Sequence, residues 1–184
     1  MSDVVVVHYG AGNTRSVTAA LRRRGWTATI SDDPARVAQA ARVVLPGVGS
    51  AGAAMTHLRR TGVADALRER ARAQRFTLGI CLGMQLLVES SDEDEGVTTL
   101  GVLPGRVTRL TEGRVPRLGW SMVEPWGVPM YFAHSFAVTG APTLATSEGV
   151  TAAVGAGAVL GVQFHPEKSG PVGERWLAQC LSNA

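Results

Sequence analysis

Lysine is almost missing from this 184-residue chain: of its 18 basic residues only Lys168 is not arginine. Cysteine is nearly as scarce. Cys81 and Cys180 stand far apart and in no metal-ligand spacing, which argues against a zinc site or a disulfide framework and for a reducing, cytoplasmic setting. Long apolar runs are lacking too. Met1-Ser2-Asp3 leads into only four valines, too short for a signal peptide or a membrane span, and no later run qualifies. Neither sign of charge dominates: the net charge is +3 with 15 acidic residues, too balanced to imply a nucleic-acid partner. The arginines are scattered, and Arg22-Arg23-Arg24 reads as the solvated end of a helix.

What is present describes a globular protein. Hydrophobic residues make up 45% and charged residues 18%, which excludes disorder and fibrous classes. The length suits one domain over residues 1–184. Glycine, at 22 residues, points to tight turns and close backbone approaches.

Val4 to Val7 form an unbroken apolar run, the pattern of a strand buried on both faces. Gly10-Ala11-Gly12-Asn13 turns the chain, Asn13 is placed to cap a helix, and Val17, Ala20 and Leu21 give helical spacing up to Gly25. Strands are predicted at Trp26 to Ile30, Val43 to Leu45 and Phe76 to Ile80. Helices are predicted through Ala51, Ala54, Met55 and Leu58, over Val63 to Ala73, and behind Cys81. This alternation predicts an α/β fold with a mostly parallel or mixed central sheet flanked by helices. The second half is read as added antiparallel strands at Val107 to Leu110, Leu118 to Val123, Met130 to Phe136, Thr143 to Thr146 and Val159 to Phe164. A closing amphipathic helix runs from Pro171 to Leu181. Asp92 to Glu95 reads as a solvated loop.

The sharpest local signal is Gly79-Ile80-Cys81-Leu82-Gly83, between a predicted strand and a predicted helix. That is the setting of a nucleophile elbow with cysteine as nucleophile. A helix N-terminus at the sulfur favours thiolate, and the Leu82 amide is free to face an oxyanion. His165-Pro166-Glu167 supplies a base and its orienting group, two residues apart on an extended segment. Pro46-Gly47-Val48-Gly49 ends another strand, where Val48 could present a second oxyanion donor. Of the remaining histidines, His57 reads as solvated, and His8 and His134 as core or rim residues, His134 keeping a small share of a site role.

GICLGMQLL, GVQFHPEKS and PGVGS together resemble the class I (triad) glutamine amidotransferases, with a flavodoxin-like fold. Tyr9-Gly10-Ala11-Gly12-Asn13, Val115-Pro116-Arg117-Leu118-Gly119-Trp120 and Tyr131-Phe132-Ala133-His134-Ser135-Phe136 are similar to the glutaminase subunits of imidazole glycerol phosphate synthase. The resemblance implies that Cys81, His165 and Glu167 form the catalytic triad and that Leu82, Val48 and Gly49 provide the oxyanion hole. It implies that Gly47, Gln85, Glu93, Ser135 and Phe136 bind glutamine, and that Asn13, Lys168 and Tyr131 face a partner. That partner is a (β/α)8-barrel cyclase forming a heterodimer. The cyclase uses channelled ammonia to make imidazole glycerol phosphate and an aminoimidazole carboxamide ribonucleotide from a phosphoribulosyl precursor. Neither metal nor organic cofactor is expected. Alternatives are the glutaminase of another synthase, of the anthranilate, aminodeoxychorismate or pyridoxal phosphate type, or a non-catalytic regulatory subunit. The chain departs from the family pattern at Arg117, where histidine is usual, at Ser121, where asparagine is usual, and in a short Trp120–Tyr131 stretch.

Overall fold

A computed structural model describes residues 3–10 and 13–183; Ala11 and Gly12 of the predicted turn lie outside them. The four valines form β1 (Asp3–Val7). Val4 and Val6 pack into one apolar cluster and Val5 and Val7 into another, so the strand is buried on both faces. After α1 (Thr14–Arg23), β2 (Thr27–Ser31) pairs parallel to β1. The basic end of α1 is solvent-exposed, but Arg23 and Arg24 both reach Glu174 near the C-terminus.

Next comes α2 (Pro34–Gln39), a short helix absent from the periodicity reading. Its signal lies in two residues: the Asp33 carboxylate accepts from the amides of Ala35 and Arg36, and Pro34 opens the first turn. Then follow β3 (Val43–Leu45), α3 (Ala51–Thr61), α4 (Val63–Arg72) and β4 (Thr77–Ile80). From α4 the fully buried Arg70 donates to the carbonyls of Val37, Ala40 and Phe76, tying the end of α2 to the start of β4. The helix behind Cys81 is only a single turn, α5 (Leu82–Gln85).

The second half is built mainly of strands: β5 (Ser90–Ser91), β6 (Val97–Thr98), β7 (Arg106–Arg109), β8 (Arg117–Val123), β9 (Val128–His134), β10 (Phe136–Thr139), β11 (Thr143–Ser147), β12 (Val150–Ala156) and β13 (Val159–Val162), before α6 (Gly170–Ser182). The apolar stretch Met130–Phe136 divides at Ser135, because β9 pairs with β8 whereas β10 joins β7 in a second sheet. The central sheet runs β11-β12-β13-β4-β3-β1-β2. Its five-strand portion β2-β1-β3-β4-β13 is parallel, in the doubly wound order of flavodoxin-like folds, and β12 and β11 extend it antiparallel. Helices flank this mixed sheet, as the sequence predicts. Among the described residues no helix is long and apolar enough to cross a membrane.

Candidate active site

The site follows from strand order. β4 lies between β3 and β13, all three run parallel, and their C-terminal ends open on one edge of the sheet, where doubly wound folds bind ligands. Cys81 leaves β4 in the centre. Gly47 to Gly49 leave β3 on one side, and His165 follows β13 on the other.

Cys81 sits at φ 54°, ψ −110°, strained backbone for a residue with a side chain. Its amide is pinned to the Val162 carbonyl at 2.7 Å. The turn is tight because the flanking glycines carry no side chain. A methyl on Gly79 would lie 2.6 Å from the Gly83 carbonyl oxygen, and one on Gly83 would collide with the Leu45 carbonyl. The one-turn α5 contributes little macrodipole, so the helix argument for thiolate is weaker than the sequence suggests. Positive charge at the sulfur comes instead from His165.

His165 and Glu167 are fully buried, with Nδ1 and Oε1 2.8 Å apart. They do not meet by strand alternation. His165 is extended, but Pro166–Lys168 coil into a 3₁₀ turn that brings the carboxylate back beneath the ring. Burial lowers the His165 pKa, yet contacts with Cys81 and Glu167 overcome it and raise the value from 6.5 to about 9. The imidazolium form therefore prevails at neutral pH, and a cation beside a cysteine favours its nucleophilic thiolate form. Asn13 does not use its side chain as a cap for α1. Its Nδ2 instead donates to the same Glu167 Oε1 at 2.8 Å. The backbone of His165 is clamped as well: its amide donates to the Tyr131 carbonyl, its carbonyl accepts from the Ser169 hydroxyl, and the Tyr131 amide donates to that hydroxyl.

A cavity of about 320 Å³ opens beside Cys81 and is lined also by Gly47, Val48, Gly49, Leu82, Gln85, Glu93, Ser135, Phe136, His165 and Lys168. The structure thus brings these sequence-selected residues together, with Glu167 and Asn13 behind His165. Lys168 is exposed at the rim. The Tyr131 ring stands edge-on to Trp120, with centroids 6.2 Å apart. Glu93 and Asp94 do not form a free solvated loop: their carboxylates accept from the amides of Ala51 and Gly52 at the start of α3. The backbone amide of Val48 lies against the buried hydroxyl of Tyr9, which donates to the Pro46 carbonyl at 2.7 Å.

His134 is buried in the cavity wall, its Nδ1 2.9 Å from the Phe136 carbonyl. Burial chiefly lowers its pKa to about 4, so the ring is neutral. His57 is half-buried with its ring edge toward His8, not solvated.

Three features escaped the sequence reading. Gln163, two residues before His165, contacts Cys81 Sγ at 3.6 Å. Tyr9 holds the Val48 turn from beneath. The outward face of β8 carries Leu118, Trp120 and Met122, 58%, 58% and 46% exposed, and their period-two spacing could have shown one apolar face. Arg117 and Ser121, read from the sequence as departures from the family pattern, share a network. Arg117 Nη2 donates to the Ser147 hydroxyl at 2.8 Å and lies 3.3 Å from Glu148, which accepts from the Ser121 hydroxyl at 2.7 Å.

A strained cysteine between a glycine-rich turn and a buried His–Glu pair is the arrangement the sequence predicts for the triad amidotransferase class. The family model for class-I glutamine amidotransferases matches residues 5–184. The chain is 48% identical to the imidazole glycerol phosphate synthase subunit HisH of Symbiobacterium thermophilum, covering 97% of this chain and 92% of that protein. It is 41% identical to the HisH subunit of Exiguobacterium sibiricum, over 96% and 93%. Among solved structures, a glutamine amidotransferase superposes with a TM-score of 0.79 at 24% identity, covering 97% of this chain and 98% of that one. The chain belongs to the HisH family of class-I glutamine amidotransferases.

Proposed function

We propose that the chain, as one domain over residues 1–184, is the glutaminase subunit of an imidazole glycerol phosphate synthase, acting in the cytoplasm on L-glutamine. The observation that carries this reading is the buried His165–Glu167 pair at 2.8 Å beside a cysteine forced to positive φ. The Cys81 thiolate attacks the side-chain amide carbon. Its oxyanion is held by the amides of Leu82 and of the Val48–Gly49 turn, the Val48 peptide first rotating away from Tyr9. The His165 imidazolium gives its proton to the departing nitrogen, leaving ammonia and a glutamyl thioester. Neutral His165 then takes a proton from water, which attacks the thioester and releases glutamate. Gly47, Gln85, Glu93 and the backbone of Ser135 and Phe136 hold the amino-acid end of the substrate.

The partner is a (β/α)8-barrel cyclase that receives the ammonia. Channelling has a chemical reason: in neutral water ammonia becomes ammonium and is no longer a nucleophile. The exposed Leu118, Trp120 and Met122 on β8, with Tyr131 behind Trp120 and Lys168 at the cavity rim, support docking of that partner over the cavity mouth. The test measures glutamine hydrolysis and imidazole product with the chain alone, with a cyclase, and with cyclase plus its nucleotide. Cys81→Ala is expected to abolish glutamine-dependent synthesis while ammonium salts still feed the cyclase. Retained glutamine use by that variant would refute the nucleophile, and no stimulation by any cyclase would refute the partner.

A further inference from the structure

We infer that Gln163 is a further catalytic residue, whose side-chain amide donates a hydrogen bond to the reacting sulfur of Cys81 and is aimed there by Gln85. The inference deepens the glutaminase reading and rests on Cys81 being its nucleophile. Gln163 follows β13 directly, is fully buried, and has its backbone amide fixed to the Ala152 carbonyl at 2.8 Å. Its Nε2 lies 3.6 Å from Cys81 Sγ, and its Oε1 accepts from Gln85 Nε2 at 3.0 Å.

The direction of this chain is fixed by its far end. Gln85 Nε2 also lies 3.0 Å from the Phe136 carbonyl, and a carbonyl only accepts. Gln85 must therefore present its nitrogen, Gln163 must present its oxygen to Gln85, and the Gln163 nitrogen is left for the sulfur. The opposite orientation would set two N–H donors face to face and point an oxygen at a thiolate. A donor in so dry a place is worth more than one in water, and its value is realised only when the sulfur is charged. His165 and Gln163 thus divide the work at the sulfur. The imidazolium supplies charge and later gives up its proton, whereas the amide donor stays in place throughout and favours sulfur as leaving group when the thioester breaks.

The test uses the full chain without a partner and reads the Cys81-specific rate of alkylation by iodoacetamide against pH, by peptide mass spectrometry. Cys180 serves as an internal background, since burial pushes its thiol up to about 12. Gln163→Leu removes the donor, and alkylation at pH 7 is expected to slow about tenfold, the usual weight of a hydrogen bond to a charged group. Gln163→Glu keeps the size and the acceptor for Gln85 but sets a carboxylate at the sulfur. It is expected to slow alkylation further, by about a hundredfold, with the pH–rate profile displaced upward and the rates converging at high pH. A residue that merely fills space would leave the near-isosteric Glu variant close to wild type. Thermal melts confirm that each variant folds. A Gln163→Glu rate within about twofold of wild type across the pH range would overturn the inference. Wild-type Cys81 reacting no faster than Cys180 would instead overturn the nucleophile reading itself.

Discussion

Glu167→Gln isolates what the carboxylate does for His165. In the wild type the ring titrates at about 9 instead of 6.5, although burial acts in the opposite direction. That rise corresponds to a net preference for the imidazolium of about 3 kcal/mol. Cys81 and Glu167 supply it between them, each through a hydrogen bond and through its charge. Asn13 donates to the same Oε1 that meets the ring, so in the variant Oε1 stays in place as an acceptor for both donors and only the charge is lost. A hydrogen bond to a charged acceptor carries about 1.5–3 kcal/mol against about 0.5–1.5 kcal/mol for a neutral one, so the His165 titration should fall by about one pH unit.

Ring-proton NMR of the free chain reads this directly, with Cys81→Ala as the complementary variant, in which His165 should also titrate lower. The linkage has a definite sign. Folding raises this pKa, so the imidazolium contributes stability that is complete below about 6.5 and is lost as pH climbs through about 9. Urea melts at pH 6 and pH 9.5 should therefore differ more in the wild type than in Glu167→Gln. In turnover, a ring titrating about one unit lower has lost about half its proton by about pH 8, so kcat should fall off on the alkaline side at a lower pH than in the wild type. A His165 titration unchanged in Glu167→Gln would refute this account, because the carboxylate would then only position the ring.

Gly83→Ala is expected to cost about 2–3 kcal/mol and to inactivate the enzyme together, because its methyl meets the Leu45 carbonyl and must push the Cys81 turn off β3. An unchanged melting temperature would refute that packing. Trp120→Ser should leave the free chain's stability within about 0.5 kcal/mol, as befits an exposed side chain, while weakening cyclase binding by about thirtyfold in calorimetry. Equal affinity of the two proteins would move the docking face away from β8.

The legible parts of this protein were those whose physics is local. Four successive valines specify a strand buried on both sides, and Gly-x-Cys-x-Gly after a strand specifies a turn that larger residues could not make. α2 was also local, written in Asp33-Pro34, but its length of six residues gives too little periodicity to register. β12 is hidden for the opposite reason: Val150–Ala156 is rich in alanine and glycine, and its strand state comes from pairing with β11 and β13. The site residues that changed meaning are those whose partners lie far along the chain. Asn13 has the sequence of a cap, yet its partner Glu167 is 154 residues away. Glu93 looks like part of a solvated charge run, yet it meets the start of α3 across 42 residues. A buried carboxylate or an orphaned helix amide outbids a local alternative only once the fold has brought it near.

Arg117 and Ser121 form one polar unit through Glu148. They sit on the same face of β8, two intervals apart, while Leu118, Trp120 and Met122 point the other way. Arg117 lays its guanidinium 4.4 Å from the centre of the Phe132 ring and brings a positive charge to Glu148, while Ser121 supplies the hydroxyl that the other Glu148 oxygen accepts. The Ser147 hydroxyl, beside Glu148, donates to the Met122 carbonyl at 2.6 Å and lies 3.0 Å from the Ser121 hydroxyl. With so few residues between β8 and β9, the hairpin has little of its own core, and this polar seam joins it to the end of β11 where the Glu124–Thr146 backbone pair also holds it. A histidine at 117 would remove the guanidinium from beside Glu148 and leave the carboxylate the Ser121 hydroxyl as its donor. The two positions are coupled through one carboxylate, and the apolar face they anchor is the one we propose to meet the cyclase.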